Sequence, residues 1–282
     1  MENLDKNIKD FLYYAEFGKN KSLNTIKSLK KDLSQLSEYL KNIEKIEEAS
    51  KITPVMLRGF IIALQKNEVG KRSINRKLSS LRSFFKYLMK NNLIKNNPIE
   101  IINSPSFEAE KPDILTLEEI NKLRDVINTD NANGLRDRLI LELLYSSGIT
   151  STEMLSIGEQ VFDLDSRTLF SQRTREYFKR YVEAKKEKYG DKYNSSILFV
   201  NGSGSRLSDR SLRRIVDRYA ARAGITREIS PYSFRHTFAV HLLAKGMSLN
   251  FLQELMGHVT IESTKIYQEI LYKIPFDFMN QS

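Results

Sequence analysis

Between residues 230 and 270 the chain collects side chains that can hold an anion and exchange protons. Arg235 carries a charge that no physiological pH removes, and the chain's three histidines, His236, His241 and His258, all fall in a window of 23 residues. Tyr232 and Tyr267 add two phenols on either side. The stretch Ser230-Pro-Tyr-Ser-Phe-Arg-His-Thr-Phe-Ala-Val-His-Leu-Leu243 reads as a helix opened by Pro231 and closed by Gly246, with Phe234, Phe238 and Leu242 as its apolar stripe. Arg235, His236 and His241 are set among those apolar positions, which a core alone does not ask for. Leu249 to Met256 reads as a short helix stopped by Gly257 in the left-handed conformation, so His258 lies just past a helix end and is aimed outward. A last helix from Ser263 to Ile270 carries Tyr267 between Ile266 and Ile270. Taken singly, each has a plain alternative: a histidine beside a glycine cap bonds locally, and a tyrosine on an apolar helix is core.

The elements that position these residues are mostly helical. After Ser22, an N-cap, Ile26, Leu29, Leu33, Leu36 and Leu40 recur at helical spacing. Thr53-Pro54 opens a second helix with Leu57, Phe60, Ile61 and Leu64 inward, and Ser73 a third with Ile74, Leu78, Leu81, Phe85 and Leu88 inward. Arg72, Arg76, Lys77, Arg82 and Lys86 decorate the third helix, as Lys27, Lys30 and Lys31 decorate the first. Such cations make either a solvated face or a set of phosphate-backbone contacts, and two such helices favour the second. A proline-bearing stretch of low apolar content, Ser104 to Asp113, reads as a linker. The expected division is a helical domain at 1–95, a linker at 96–113 and a second domain with a tail at 114–282.

In the second domain Thr116 heads a capping-box sequence, and Asn133 to Tyr145 forms a helix closed at Gly148. Residues 161–170 alternate like strand around a turn, and Ile197 to Val200 reads as a short strand. Between them runs a charged amphipathic helix, 171–189, with Tyr177, Phe178, Tyr181 and Val182 inward. Asn201-Gly-Ser-Gly204 lacks the lysine and spacing of a phosphate-binding loop, which argues against a nucleotide there. Ser208 caps a helix that bears Arg210, Arg213, Arg214, Arg218 and Arg222, more arginines than solubility needs and well suited to phosphate oxygens. The fold class is therefore mainly α with a small β component.

Composition narrows the function. The formal charge of +10 favours a polyanionic partner, though a soluble protein from a lysine-rich proteome would share it. The chain has no cysteine, which removes disulfides and thiolate metal sites and suits a reducing compartment. The N-terminal residues do not read as a signal peptide, and no apolar run suffices to span a bilayer, so a cytoplasmic protein without a membrane partner is expected. No carboxylate cluster stands ready for a metal, and no cofactor is expected.

Order and spacing turn these residues into a pattern. Arg235 precedes His258 by 23 residues and Tyr267 follows His258 by 9. Tyr232-Ser-Phe-Arg235-His236, Met256-Gly257-His258 and Ile266-Tyr267 resemble the His-x-x-Arg-His, Leu-Gly-His and Ile-Tyr motifs of the tyrosine recombinases, specifically the Xer type. Thr237-Phe-Ala-Val-His241-Leu-Leu also resembles that family, and the similarity runs through nearly the whole chain. It implies an N-terminal helical bundle, the SAM-like core-binding domain that clamps DNA, followed by a mixed α+β catalytic domain. It also implies double-stranded DNA as partner, with self-association or a partner recombinase on that DNA. Tyr267 would attack phosphorus to give a 3′-phosphotyrosine, a covalent intermediate that conserves the bond energy. Arg235 would clamp the scissile phosphate, His258 would donate a hydrogen bond to the same phosphate or help deprotonate Tyr267, and Tyr232 would assist. Arg72, Arg76, Lys77, Arg82, Arg210, Arg213 and Arg214 would contact DNA. His236 and His241 are expected to support the helix.

The chain departs from the family at three places. The family's Gly-Leu-Arg-x-x-Glu reads Gly148-Ile149-Thr150-Ser151-Thr152-Glu153, so a neutral hydroxyl replaces half of the charged clamp. The hairpin that carries the family's leaving-group lysine is shortened, and no lysine occurs between Glu159 and Lys179. Arg173 and Arg175 are poor proton donors there. Tyr232 stands at the first histidine of the pattern. The expected function is a Xer-type recombinase with weak or lost strand cleavage; the alternative is a non-catalytic DNA-binding accessory or regulatory protein.

Overall fold

The computed structural model describes residues 3–106, 112–162 and 170–273. The chain divides into two compact units, Met1–Ala109 and Glu110–Ser282. In the first unit α1 (Leu4–Tyr13), α2 (Leu23–Tyr39), α3 (Pro54–Lys66) and α4 (Lys71–Lys90) surround one apolar core. Capping chemistry sets their starts as the sequence suggests: Ser22 accepts from the Thr25 amide, and Thr53 accepts from the Met56 amide with Pro54 in the first turn. Leu33, Leu36 and Leu40 from one side meet Ile74, Leu78, Leu81 and Phe85 from α4, and Phe11 packs edge-on to Phe84.

The stretch expected to link the domains begins as part of this core. Ile99 and Ile102 are buried in it, and Arg82 donates to the Ile102 carbonyl (2.9 Å) and to Ser104 Oγ (3.0 Å). Residues 107–111 of that stretch lie outside the described residues.

The second unit contains α5 (Leu117–Asp125), α6 (Ala132–Ser147), α7 (Ser151–Ser156), α8 (Gln172–Tyr189), α9 (Asp209–Arg222), α10 (Pro231–Ala244), α11 (Leu249–Met256) and α12 (Glu262–Leu271). Thr116 and Glu119 form the expected capping box at α5, each side chain accepting from the other's amide. Helix α6 is central: Leu139, Leu143 and Leu144 pack with Tyr181 of α8, Leu212 and Ile215 of α9 and Phe234 of α10. Among the described residues of this unit the buried charges are paired. Asp137 accepts from Arg136, Arg218 (2.9 Å) and the Tyr219 hydroxyl (3.0 Å), and Lys185 donates to Glu159 (2.7 Å) and to the Asn194 and Ile197 carbonyls. A second, smaller core is built by Ala239, Val240, Leu252, Met256, Tyr267 and Ile270 of α10, α11 and α12.

The β content is slight. Ile197 to Val200 is not a strand: it makes a single antiparallel bridge, Val200 with Arg206. The Asn201 side chain closes the intervening turn by accepting from the Ser203 and Ser205 amides. Val161 and Phe162 belong to a helical turn, and residues 163–169, the rest of the expected strand pair, lie outside the described residues. Among the described residues no helix is long and apolar enough to cross a membrane, and no cluster of three or more histidine and carboxylate side chains could hold a metal.

Candidate active site

The first turn of α10 starts at Pro231, where Ser233 Oγ accepts from the Ser230 amide (3.1 Å). This leaves Tyr232 half exposed and turns Arg235 inward by one turn. The Arg235 guanidinium is held between two helix ends. Nη1 donates to the carbonyl of Gly148, which caps α6, and Nη2 donates to the carbonyl of Met256, the last residue of α11, both at 2.5 Å. Carbonyls at helix C-termini lack intrahelical partners and carry the negative end of the dipole, so a cation there is well placed. Gly148 has no substitute: its φ is +59°, and a Cβ would come within 2.3 Å of the Phe238 ring. The remaining donors of the fork are left for an anion.

Gly257 takes the left-handed conformation (φ +64°), and His258 follows it. Its Nδ1 lies 2.8 Å from Thr264 Oγ1 and its carbonyl accepts from Gln253 Nε2, which leaves Nε2 for a ligand. Burial, with the nearby Arg235 charge, holds its pKa below the ordinary histidine value.

Tyr267 stands in the small C-terminal core, only 3% exposed. The His258 ring stacks on it with centroids 6.0 Å apart, and its hydroxyl lies 3.1 Å from Nδ1 of His236. Burial raises the phenol's pKa, Arg235 opposes that rise and Tyr232 adds to it. His236 is pushed down to about 4, by burial first and then by Arg235 and His258, so it is neutral near pH 7. Sequence reasoning gave His236 a supporting role; the structure sets it against the phenol. The only sequence signal was its adjacency to Arg235, since no pattern links it to a residue 31 positions away. Tyr232 is near, its ring centroid 6.2 Å from that of His236.

His241 faces elsewhere. Its Nδ1 lies 3.3 Å from the Tyr145 hydroxyl and its buried Nε2 has no hydrogen-bond partner. Burial and Lys245 bring its pKa down to about 4.

Thr150 is spent on local structure. It caps α7, accepting from the Glu153 amide, while its own amide (2.9 Å) and hydroxyl (2.7 Å) donate to the Glu153 carboxylate. Those bonds from Thr150, and the Arg235 charge, hold the Glu153 carboxyl below its ordinary value. The shortened hairpin falls on residues outside those described. Lys185, the buried lysine of α8, is fully engaged by Glu159 and two carbonyls. Arg173 is exposed, and Arg175 donates to the Phe170 carbonyl.

The basic residues assigned to DNA divide by geometry. Lys77 is removed from that set: it is 5% exposed and bonded to Asp32 (3.1 Å) and Gln35 inside the first unit. Arg76 makes a two-pronged pair with the same buried Asp32 (2.5 and 2.8 Å), and Arg82 is tied to Ile102 and Ser104. Arg72, Arg210 and Arg214 are exposed, and Arg213 is exposed beside Asp209 (2.9 Å). Arg218, on the same helix, is drawn to Asp137.

Comparison with known proteins agrees with this reading of the fold. Residues 113–273 match the phage integrase family and residues 8–92 match the phage integrase N-terminal SAM-like domain. The chain is 34% identical to a tyrosine recombinase XerC of Thermodesulfovibrio yellowstonii, over 96% of this chain and 93% of that protein. It is 35% identical to a tyrosine recombinase XerC of Syntrophus aciditrophicus, over 95% and 94%. Among solved structures it resembles the XerH site-specific recombinase bound to difH substrate in a post-cleavage complex (TM-score 0.74, 22% identity, 96% of this chain and 82% of that one). It also resembles the Tn1549 transposon integrase in complex with circular intermediate DNA (TM-score 0.75, 17% identity, 99% and 98%). These structural likenesses establish the fold. With family models over both parts of the sequence and relatives matched along nearly all of it, the chain belongs to the phage integrase family, among the Xer-type tyrosine recombinases.

Proposed function

We propose that this protein binds double-stranded DNA and is a site-specific recombinase whose own strand cleavage is weak or absent. The observation that carries this reading is the meeting of Arg235, His258 and Tyr267 at the junction of α10, α11 and α12, beside a Thr150 that supplies no charge. In it Tyr267 attacks the scissile phosphorus, and Arg235 and the free Nε2 of His258 bind the non-bridging oxygens as negative charge gathers on them. Tyr232, exposed on the first turn of α10, hydrogen-bonds the same phosphate. The exposed Arg72, Arg210, Arg213 and Arg214 contact the DNA backbone, and a second copy or a partner recombinase completes the assembly.

The test is a suicide DNA substrate, offered with and without a partner recombinase. Slow formation of a covalent protein–DNA adduct that Tyr267→Phe abolishes supports the reading, and vigorous turnover by the isolated protein overturns the claim of weakness. A second reading, a DNA-binding protein without catalysis, is favoured by one observation: Thr150 is locked into a capping box, as if the position had been given over to stability. It expects salt-sensitive DNA binding that Tyr267→Phe leaves unchanged, and no adduct under any condition.

A further inference from the structure

Two histidines flank Tyr267, and they are not equivalent. His258 presents its face: the rings are nearly parallel, 21° apart, and its Nδ1 is engaged by Thr264 Oγ1. His236 presents an edge, with Nδ1 at 3.1 Å from the phenol oxygen. In the tautomer with the proton on Nε2, Nδ1 has a lone pair directed at the Tyr267 hydroxyl, which donates to it.

We infer that His236, not His258, takes the proton of Tyr267 when the phenol attacks phosphorus, leaving His258 to bind the phosphate. This rests on the reading of Tyr267 as the nucleophile. In the step the Oη–H bond breaks and an Nδ1–H bond forms on His236. Oη bonds to phosphorus while the bond from phosphorus to the 5′-oxygen breaks, and that oxygen takes a proton from water. His236 is catalytic in this step because it touches the reacting oxygen.

The surroundings make the transfer conditional. His236 is faced by Arg235 and Tyr232 from its own helix, by His258 from the end of α11 and by Tyr267 from α12. With Arg235 unneutralised and His236 largely buried, an imidazolium is disfavoured and the proton stays on the phenol. A phosphodiester bound to Arg235 and His258 brings a negative charge into the same space and favours the imidazolium. The nucleophile is thus activated by the substrate and idle without it.

The experiment uses the full chain and a duplex selected from a random pool by the protein itself, with a bridging 5′-phosphorothiolate at the cleaved position. A thiolate leaves without a proton, so the missing lysine does not mask nucleophile activation. Wild type forms the Tyr267 adduct. His236→Gln slows adduct formation by ~10²-fold or more, a usual contribution of a positioned base, while duplex affinity, which also reports folding, is unchanged. The wild-type rate rises with pH through one ionisation, a limb that His236→Gln abolishes and His258→Gln retains. Equal rates in wild type and His236→Gln, or a pH limb that survives in His236→Gln, overturn the role of His236 and leave Tyr267 as nucleophile. No adduct in wild type or in Thr150→Arg overturns Tyr267 as nucleophile and His236 as its base together. A measurement free of DNA is 15N NMR of the histidines at neutral pH: Nδ1 of His236 is unprotonated and shifts in Tyr267→Phe, and a proton found on Nδ1 overturns the inference.

Discussion

Thr150 shows how one position can trade chemistry for stability. Its hydroxyl and amide close a capping box with Glu153, contacts that stabilise the short helix α7 by about 1 kcal/mol. Thr150→Arg should therefore move two observables in opposite directions. Adduct formation on a suicide substrate should rise by ~10²-fold as a charged donor joins Arg235, and Tm in a thermal scan should fall by roughly 2–4 °C. The histidines give a second prediction at this scale. His236 and His241 both titrate near 4 in the fold, below the ordinary value of 6.5 that the unfolded chain recovers. Between those values the unfolded chain binds more protons, so stability falls as pH drops from 6.5 towards 4 and these groups add no further loss below it. His241→Leu removes a buried nitrogen without a partner and should flatten part of this decline in Tm against pH, leaving the share due to His236. Arg235, His258 and Tyr267 were legible because a spacing survives in one dimension. The contact of His236 with Tyr267 was not, since it depends on how α10 and α12 cross.

At the scale of the element, the buried ion pair between α2 and α4 is the instructive case. Asp32 is fully buried and accepts from Arg76, Lys77 and Ser80. The sequence held a sign of this: Lys77 lies three residues after Ile74 and four before Leu81, on the apolar stripe, and Asp32 lies three after Leu29. Reading charge as exposure hid it. Asp32→Ala leaves Lys77 buried without its counter-charge and should cost ~3–5 kcal/mol in denaturant unfolding of the first unit. Arg72→Ala, on an exposed face, should stay within about 0.5 kcal/mol of wild type in the same measurement. Helix starts were legible at Ser22, Thr53, Thr116 and Ser208, where a side chain caps each; that of α6, capped by Asn131, was read late, at Asn133. The short strand was not, because alternation over a few residues says nothing about whether a partner strand exists.

For the whole molecule, the net charge of +10 says less than its placement. Removing exposed cations should weaken DNA binding in a salt-dependent way, and removing paired ones should not. In a salt titration of binding, the double variant Arg210→Ala with Arg214→Ala should lower the log–log slope by about 2, whereas Arg82→Ala, whose charge serves Ile102 and Ser104, should change it little. The existence of two units was legible from the proline-bearing stretch after α4. How far the first one runs was not, because Ile99 and Ile102 join its core across a sequence that reads as polar.

Arg235 fastens the C-terminus of α6, in the larger core of its unit, to the C-terminus of α11, in the smaller one. Genetic dissection of this protein would meet that rivet first. An allele that deletes the guanidinium would loosen the segment carrying His258 and Tyr267 as well as emptying the proposed phosphate clamp, and its phenotype would merge misfolding with inactivity. Tyr267→Phe, which removes one oxygen from a ring already packed in the core, is the allele that separates a dead enzyme from a damaged protein.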